Sequence, residues 1–249
     1  YDEPFRGEII DYFFKPQFGA SLDILKVEVG GDGQNTLGTS SSHQHTKDEA
    51  PDFSRGMLWW LMAQVQVRRG DVQFYGLPWC YPGWVKSPYS PEAAEYLATW
   101  LDGARGKNLP VSFIGVSQNE RAPCDKAKPI SKHSDSLRCD GITLKRAAFD
   151  AHGHTRVKIV APDAFDFDRT NGDVIMMKNS SDVVWSDVDI VGVHGAAPLS
   201  DLYGPLQSWL TEESTNSSKP LWNSENEAGY MGVRFLARAL VRAYVETNA

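Results

Sequence analysis

Two glutamates close segments that read as β-strands. The apolar run Val111–Val116 passes into Ser117-Gln118-Asn119-Glu120-Arg121, and Leu221-Trp222 passes into Asn223-Ser224-Glu225. Two carboxylates on separate strands, aimed at one mouth, suit glycoside hydrolysis. One must be protonated to donate to the leaving oxygen, and the other ionised to attack the anomeric carbon. Enzymes that retain anomeric configuration hold the pair about 5–5.5 Å apart. The dipeptide Asn-Glu carries no weight alone, because it recurs at Asn226-Glu227. An isolated Glu120 would read as a solvated loop carboxylate or a helix N-terminal charge. The strand-end position of both glutamates is what makes them a pair.

Other constellations are weaker. Gly30-Gly31-Asp32-Gly33-Gln34 lacks the Lys-Ser/Thr of a phosphate-binding loop and is not followed by a helical pattern. Its task reads as a tight backbone turn that presents Thr36. His43-Gln44-His45 offers two imidazoles without a visible third ligand, so no metal is assigned. Cys124 and Cys139 flank a polar stretch. A bridge closing that loop would contribute about 3 kcal/mol in the chain-entropy picture, whereas a zinc site using His133 lacks a fourth ligand.

These groups need a scaffold. Short β-branched runs at Ser21–Glu28, Asp71–Gly76, Val111–Val116, Val157–Val160, Asp189–His194 and Leu221–Glu225 alternate with helical patterns. That alternation predicts parallel strands joined by helices. Met57, Leu58, Leu61, Met62 and Val65 recur at helical spacing, and with Trp59 and Trp60 they read as core. A further helix opens with Ser90 as N-cap and Pro91 at its first position, burying Leu97, Trp100 and Leu101. Helical patterns also cover Arg6–Phe14 and the stretch holding Phe235, Leu236, Ala239, Leu240 and Ala243. The fold class is α/β, a (β/α)8 barrel filling one domain over residues 1–249. With six strands, a helix-like start and a helical end, it is expected to lack its first and last strands. The start at Tyr1, without Met, reads as a piece of a longer protein.

Bulk properties exclude some classes. Net charge is −7, with 25 Lys and Arg against 32 Asp and Glu, and no basic cluster stands out. A nucleic-acid partner is therefore not expected. No apolar run approaches the ~20 residues of a spanning helix. Asn179-Ser180-Ser181 and Asn216-Ser217-Ser218 are glycan acceptor triplets.

The chain resembles glycoside hydrolase family 59. The likeness rests on Asp11–Thr39, on Gly76-Leu77-Pro78-Trp79 with Tyr81-Pro82-Gly83-Trp84, and on Ile114-Gly115-Val116 with Asn119-Glu120-Arg121. Arg156-Val157-Lys158-Ile159, Asp189-Ile190-Val191-Gly192 and Leu221-Trp222-Asn223-Ser224-Glu225 continue it in order. The resemblance implies a retaining β-galactosidase acting on galactosylceramide, with Glu120 as acid/base and Glu225 as nucleophile. It implies that Asn119 contacts the sugar 2-hydroxyl, that Trp79 lines the galactose pocket, and that Thr36 helps recognise galactose. His194 reads as a pocket-wall residue or a satisfied core histidine. No cofactor is implied; a saposin-type lipid-presenting partner and a lysosomal setting are. The chain departs from the family pattern at Ser117-Gln118, at Gly195, at Ala228 and over Ala122–Asp140, so the rim is expected to differ.

Overall fold

The six β-branched segments form strands, each within a few residues of its expected bounds. The computed structural model describes residues 2–35, 38–116, 132–164, 167–194 and 219–225. It divides into two compact units, Tyr1–Ile114 with Ala147–Val157, and Gly115–Arg146 with Lys158–Ala249.

In the first unit, α1 (Phe5–Phe14) precedes β1 (Ile24–Val29). The strand starts three residues later than its β-branched run because Ser21 sits at φ 48°, a turn conformation that breaks extended backbone. A short antiparallel pair, β2 (Gln34–Asn35) and β3 (Gly38–Thr39), follows. Then come α2 (Met57–Arg68), β4 (Gln73–Pro78), α3 (Pro91–Gly106) and β5 (Val111–Gly115). β1 and β5 both run parallel to β4, with Lys26 opposite Tyr75, Glu28 opposite Leu77 and Gly76 opposite Ile114.

Helix α3 lies on this sheet. Ser90 Oγ accepts from the Ala93 N–H, with Pro91 at the first helical position, as its sequence predicts. Gly76 makes the approach possible, since a Cβ there would stand 2.8 Å from the Trp100 ring. Leu97, Trp100 and Leu101 are buried beside Phe74, Leu77 and Ile114 in the same core. In α2 the buried stripe is Trp59, Met62 and Val65. Met57 does not join it and is 67% exposed. At 100° per residue it falls about 200° from Trp59, on the outer face of the helix.

In the second unit, α4 (Lys132–Ala151) supplies its first part, followed by β6 (Lys158–Val160), α5 (Phe167–Ser180), α6 (Asp182–Asp187), β7 (Val191–His194) and β8 (Leu221–Glu225). β7 and β8 are parallel. Parallel bridges join Val160 to Ile190 and Ala164 to Val193, so the β6 line also flanks β7. Ile159, Val160, Ala164, Val174, Met177, Val184, Ile190 and Val193 form its apolar centre. Among the described residues no helix is long and apolar enough to cross a membrane. The helix expected around Phe235–Ala243 lies outside the described residues.

Candidate active site

Parallel strands joined by helices bring their C-terminal ends to one edge, and side chains there can converge on a ligand. In the second unit that edge carries Glu225, His194 and Asp163. His194 ends β7 and is 5% exposed, and its Nε2 stands 3.0 Å from Asp163 Oδ1 and 3.8 Å from Glu225 Oε2. His194 is therefore a satisfied buried histidine and also a neighbour of Glu225.

The pairing of β7 with β8 explains why these side chains meet. Val193 faces Asn223, but the next residue, His194, faces Glu225. Ser224 is the extra residue of a bulge. Paired residues on parallel strands project to the same side, so the bulge sets Glu225 on the side of His194. Ser224 Oγ donates to Asp163 Oδ1 and lies 3.3 Å from the Val193 carbonyl. Gly192 gives this segment room: a Cβ there would stand 3.0 Å from Ser224 Oγ and 3.2 Å from Asp163 Cα.

In the first unit the same kind of edge carries Trp79, directly after β4 and half-buried. Lys26 Nζ lies 5.2 Å from the centre of the Tyr75 ring and 5.6 Å from that of Trp79. Lys26, Glu28, Tyr75 and Trp79 thus line one face of β1 and β4. Ser40 Oγ donates to Glu28 Oε2 at 2.5 Å. Beyond β1, Asp32 takes both the N–H and the hydroxyl of Ser42, and lies 2.8 Å from His45 Nδ1. Burial works to raise the Asp32 carboxyl, but these partners reverse that and hold it below the usual carboxylate range.

The two histidines of the His-x-His are separated in environment. His45 sits against Asp32, whereas the His43 ring is stacked 4.1 Å from Tyr96 and 5.6 Å from Phe53, centre to centre. Burial, with the Arg55 charge behind it, lowers His43 to about 4. Gly30 and Gly31 are glycines for lack of space. A Cβ at Gly30 would stand 2.1 Å from the Ser41 carbonyl oxygen, and one at Gly31 2.0 Å from that of Cys80. This loop packs against neighbouring backbone. Gly33 donates to Cys80 Sγ at 3.1 Å.

Thr36, Asn119 and Glu120 lie outside the described residues, as do Cys124 and the side chains of His133 and Cys139. Of the six expected site residues, the structure describes Trp79, His194 and Glu225. The strand-end rule missed Asp163 and the pair Lys26 and Glu28, which share a face of β1 and β4 with Tyr75 and Trp79. Asp163 follows the apolar strand Lys158–Val160 just as Glu225 closes β8, so the same rule could have found it. Lys26 and Glu28 alternate with Val27 and Val29, a pattern that marks polar groups facing inward or outward but not which.

A separate cavity of about 280 Å³, lined by Val111, Ser112, His154, Thr155 and Arg156, lies at the N-terminal end of β5, opposite to the edge that carries Trp79.

The Glycosyl hydrolase family 59 profile matches residues 1–249. The chain is 37% identical over 257 residues to a galactocerebrosidase of Danio rerio, covering 98% of this chain and 34% of the relative. It is 36% identical over 234 residues to a galactocerebrosidase of Homo sapiens, covering 91% of this chain and 30% of the relative. The chain spans about a third of the length of the curated relatives it matches. Its fold is that of a conserved exported protein from Bacteroides fragilis (TM-score 0.77, 17% identity, 100% of this chain and 64% of that one). It also matches the catalytic domain of GH30 xylanase C from Talaromyces cellulolyticus (TM-score 0.70, 13% identity, 100% and 62%). At this identity the likeness is one of fold alone, in keeping with the parallel strands. By a match along its whole length, the chain belongs to glycosyl hydrolase family 59.

Proposed function

We propose that the chain is the catalytic part of a retaining β-galactosidase that cleaves galactosylceramide to galactose and ceramide. One observation carries the reading: identity of 37% to a galactocerebrosidase over 98% of the chain. The strand-end Glu225 beside His194 supports it.

The reaction is a double displacement on a (β/α)8 barrel to which the six long strands belong. Glu225 attacks C1 of galactose and forms a glycosyl ester as the C1–O bond to ceramide breaks. Glu120 gives its proton to the departing ceramide oxygen. Glu120, now ionised, then takes a proton from water, whose oxygen attacks C1 and releases Glu225 and galactose. Asn119 holds the 2-hydroxyl, a contact that strengthens as the ring flattens toward the transition state. Trp79 offers its indole face to the C–H groups of the sugar, Thr36 reads galactose, and His194 forms the wall beside the nucleophile.

The substrate is poorly soluble, so a saposin-type protein presents it, and the setting is the lysosome. Asn179, exposed near the end of α5, suits a glycan acquired on that route. A second reading follows from the fold likeness to the endo-β1,6-glucanase BT3312 (TM-score 0.64, 15% identity): the same chemistry on another sugar. Comparing turnover of nitrophenyl β-galactoside and β-glucoside by the full protein decides between them. Preference for the galactoside, with the β-anomer of galactose as first product by NMR, is expected. Preference for the glucoside would discard the first reading.

A further inference from the structure

Glu225 depends on an irregularity for its direction. In a β8 without the extra residue, Ser224 would face His194 and Glu225 would project to the opposite side of the sheet, since side chains alternate at every residue. Something must hold the bulge, because an unpaired residue in a parallel ladder gives up regular backbone hydrogen bonds.

We infer that Asp163 is the positioning residue of this site: its buried carboxylate pins the Ser224 bulge and the His194 ring together, and so aims Glu225. Asp163 is 1% exposed. One oxygen, Oδ1, accepts from Ser224 Oγ on β8 and lies 3.0 Å from His194 Nε2 on β7. A single atom thus ties the extra residue of β8 to the residue that faces Glu225. The backbone around Asp163 is fastened to the same strand, with its N–H donating to the Gly192 carbonyl and the His194 N–H donating to that of Ala164. Asp163 itself stands at φ 56°, in the left-handed region that aspartate tolerates better than most residues. That conformation costs energy and persists where surrounding contacts dictate it.

The imidazole contact has a chemical consequence. A neutral His194 can carry only one proton on Nε2. At 3.0 Å Asp163 takes that hydrogen bond in preference to Glu225 at 3.8 Å. Asp163 acts on Glu225 through Ser224 and His194.

The inference rests on Glu225 being the nucleophile, and its test separates the two. In the full protein, Asp163→Gly removes both contacts and suits the positive φ, while Asp163→Asn keeps an acceptor at the same place. With nitrophenyl β-galactoside, Asp163→Gly is expected to lose about 100-fold in kcat, the scale of a misplacement near 1 Å, with KM moving less than about threefold. Asp163→Asn should recover most of that loss. Ser224→Ala should lose about tenfold, and combined with Asp163→Gly should add nothing further, because both variants break the same link. Asp163→Gly turnover within about threefold of wild type, or losses that multiply in the double variant, would overturn the inference. Should wild type itself fail to turn over the galactoside, the functional reading falls alone. The crystal structures of the Asp163→Gly and Ser224→Ala variants then decide the inference: a bulge and a Glu225 position unchanged in both refute it.

Discussion

Replacing His43 by phenylalanine should make the protein more stable in acid and change little at neutral pH. The ring is 2% exposed, stacked on Tyr96 and Phe53, and neither ring nitrogen has a hydrogen-bond partner among the described residues. Phenylalanine keeps the stack and loses no bond, a replacement that is often neutral or better. The pH dependence follows from burial, which with the Arg55 charge lowers His43 to about 4, while Asp32 opposes the shift weakly. Because the folded value lies below the unfolded value, the neutral ring favours the fold. Its contribution is complete above about pH 6.5 and is lost as pH falls toward 4. Between pH 7.5 and pH 5 the unfolded imidazole takes up most of one proton that the folded ring refuses, and that difference integrated over the interval gives a loss of ~2 kcal/mol. For a domain of this size that is roughly 4–8 °C in Tm. Urea and thermal unfolding of wild type and His43→Phe at pH 7.5 and 5.0 measure it, all other titrations cancelling in the difference. The reasoning fails if the stability gap between the two proteins is the same at both pH values, or if the variant is the less stable one in acid.

The cluster at the other end of the first unit should respond with the opposite sign. His152 Nδ1 lies 2.6 Å from Asp102 and its Nε2 3.2 Å from Glu95, and the Asp102 hydrogen bond raises the imidazole above its ordinary value. A raised histidine stabilises below about pH 6.5 and loses that effect as pH climbs through its folded value. His152→Ala should therefore lower Tm more at pH 5.5 than at pH 8.5; an equal loss at both would count against it. Gly76→Ala should destabilise by about 1–3 kcal/mol, since its Cβ would stand 2.8 Å from Trp100 and 2.9 Å from Ile114. A chemical-denaturation midpoint unmoved by that variant would show that α3 sits farther from the sheet. Trp79→Ala should reduce kcat/KM for aryl galactosides about tenfold, the upper range for an aromatic face, and an unchanged ratio would remove Trp79 from the pocket wall.

Legibility in the sequence varied with how locally each feature is determined. Strands β1, β4, β5, β6, β7 and β8 could be read from β-branched runs, and the α3 cap from Ser90-Pro91, because each depends on neighbours in the chain. Met57 was misjudged because a stripe drawn through all apolar residues is wider than the face the sheet covers. Glu225 was legible as a strand end, whereas Trp79 was singled out by the family resemblance alone. Asp163 stands beyond a strand end too, but its role could not be read there, since it comes from Ser224 and His194, which are 61 and 31 residues away in sequence. The bulge at Ser224 leaves no trace in the pattern Leu-Trp-Asn-Ser-Glu, for it is set by the partner strand. The burial of His43 was hidden for a related reason. Residues 40–53 carry no periodicity, and the ring is enclosed by Tyr96 from a distant helix.

The nucleophile can be tested by trapping. A 2-deoxy-2-fluorogalactosyl fluoride slows both displacement steps but leaves the second slower, so the glycosyl ester accumulates on whichever carboxylate attacks C1. Incubated with the full protein, then digested and sequenced by mass spectrometry, it should mark Glu225 and inactivate the enzyme in step with labelling. A label on any other residue, or inactivation with Glu225 unmodified, contradicts the account.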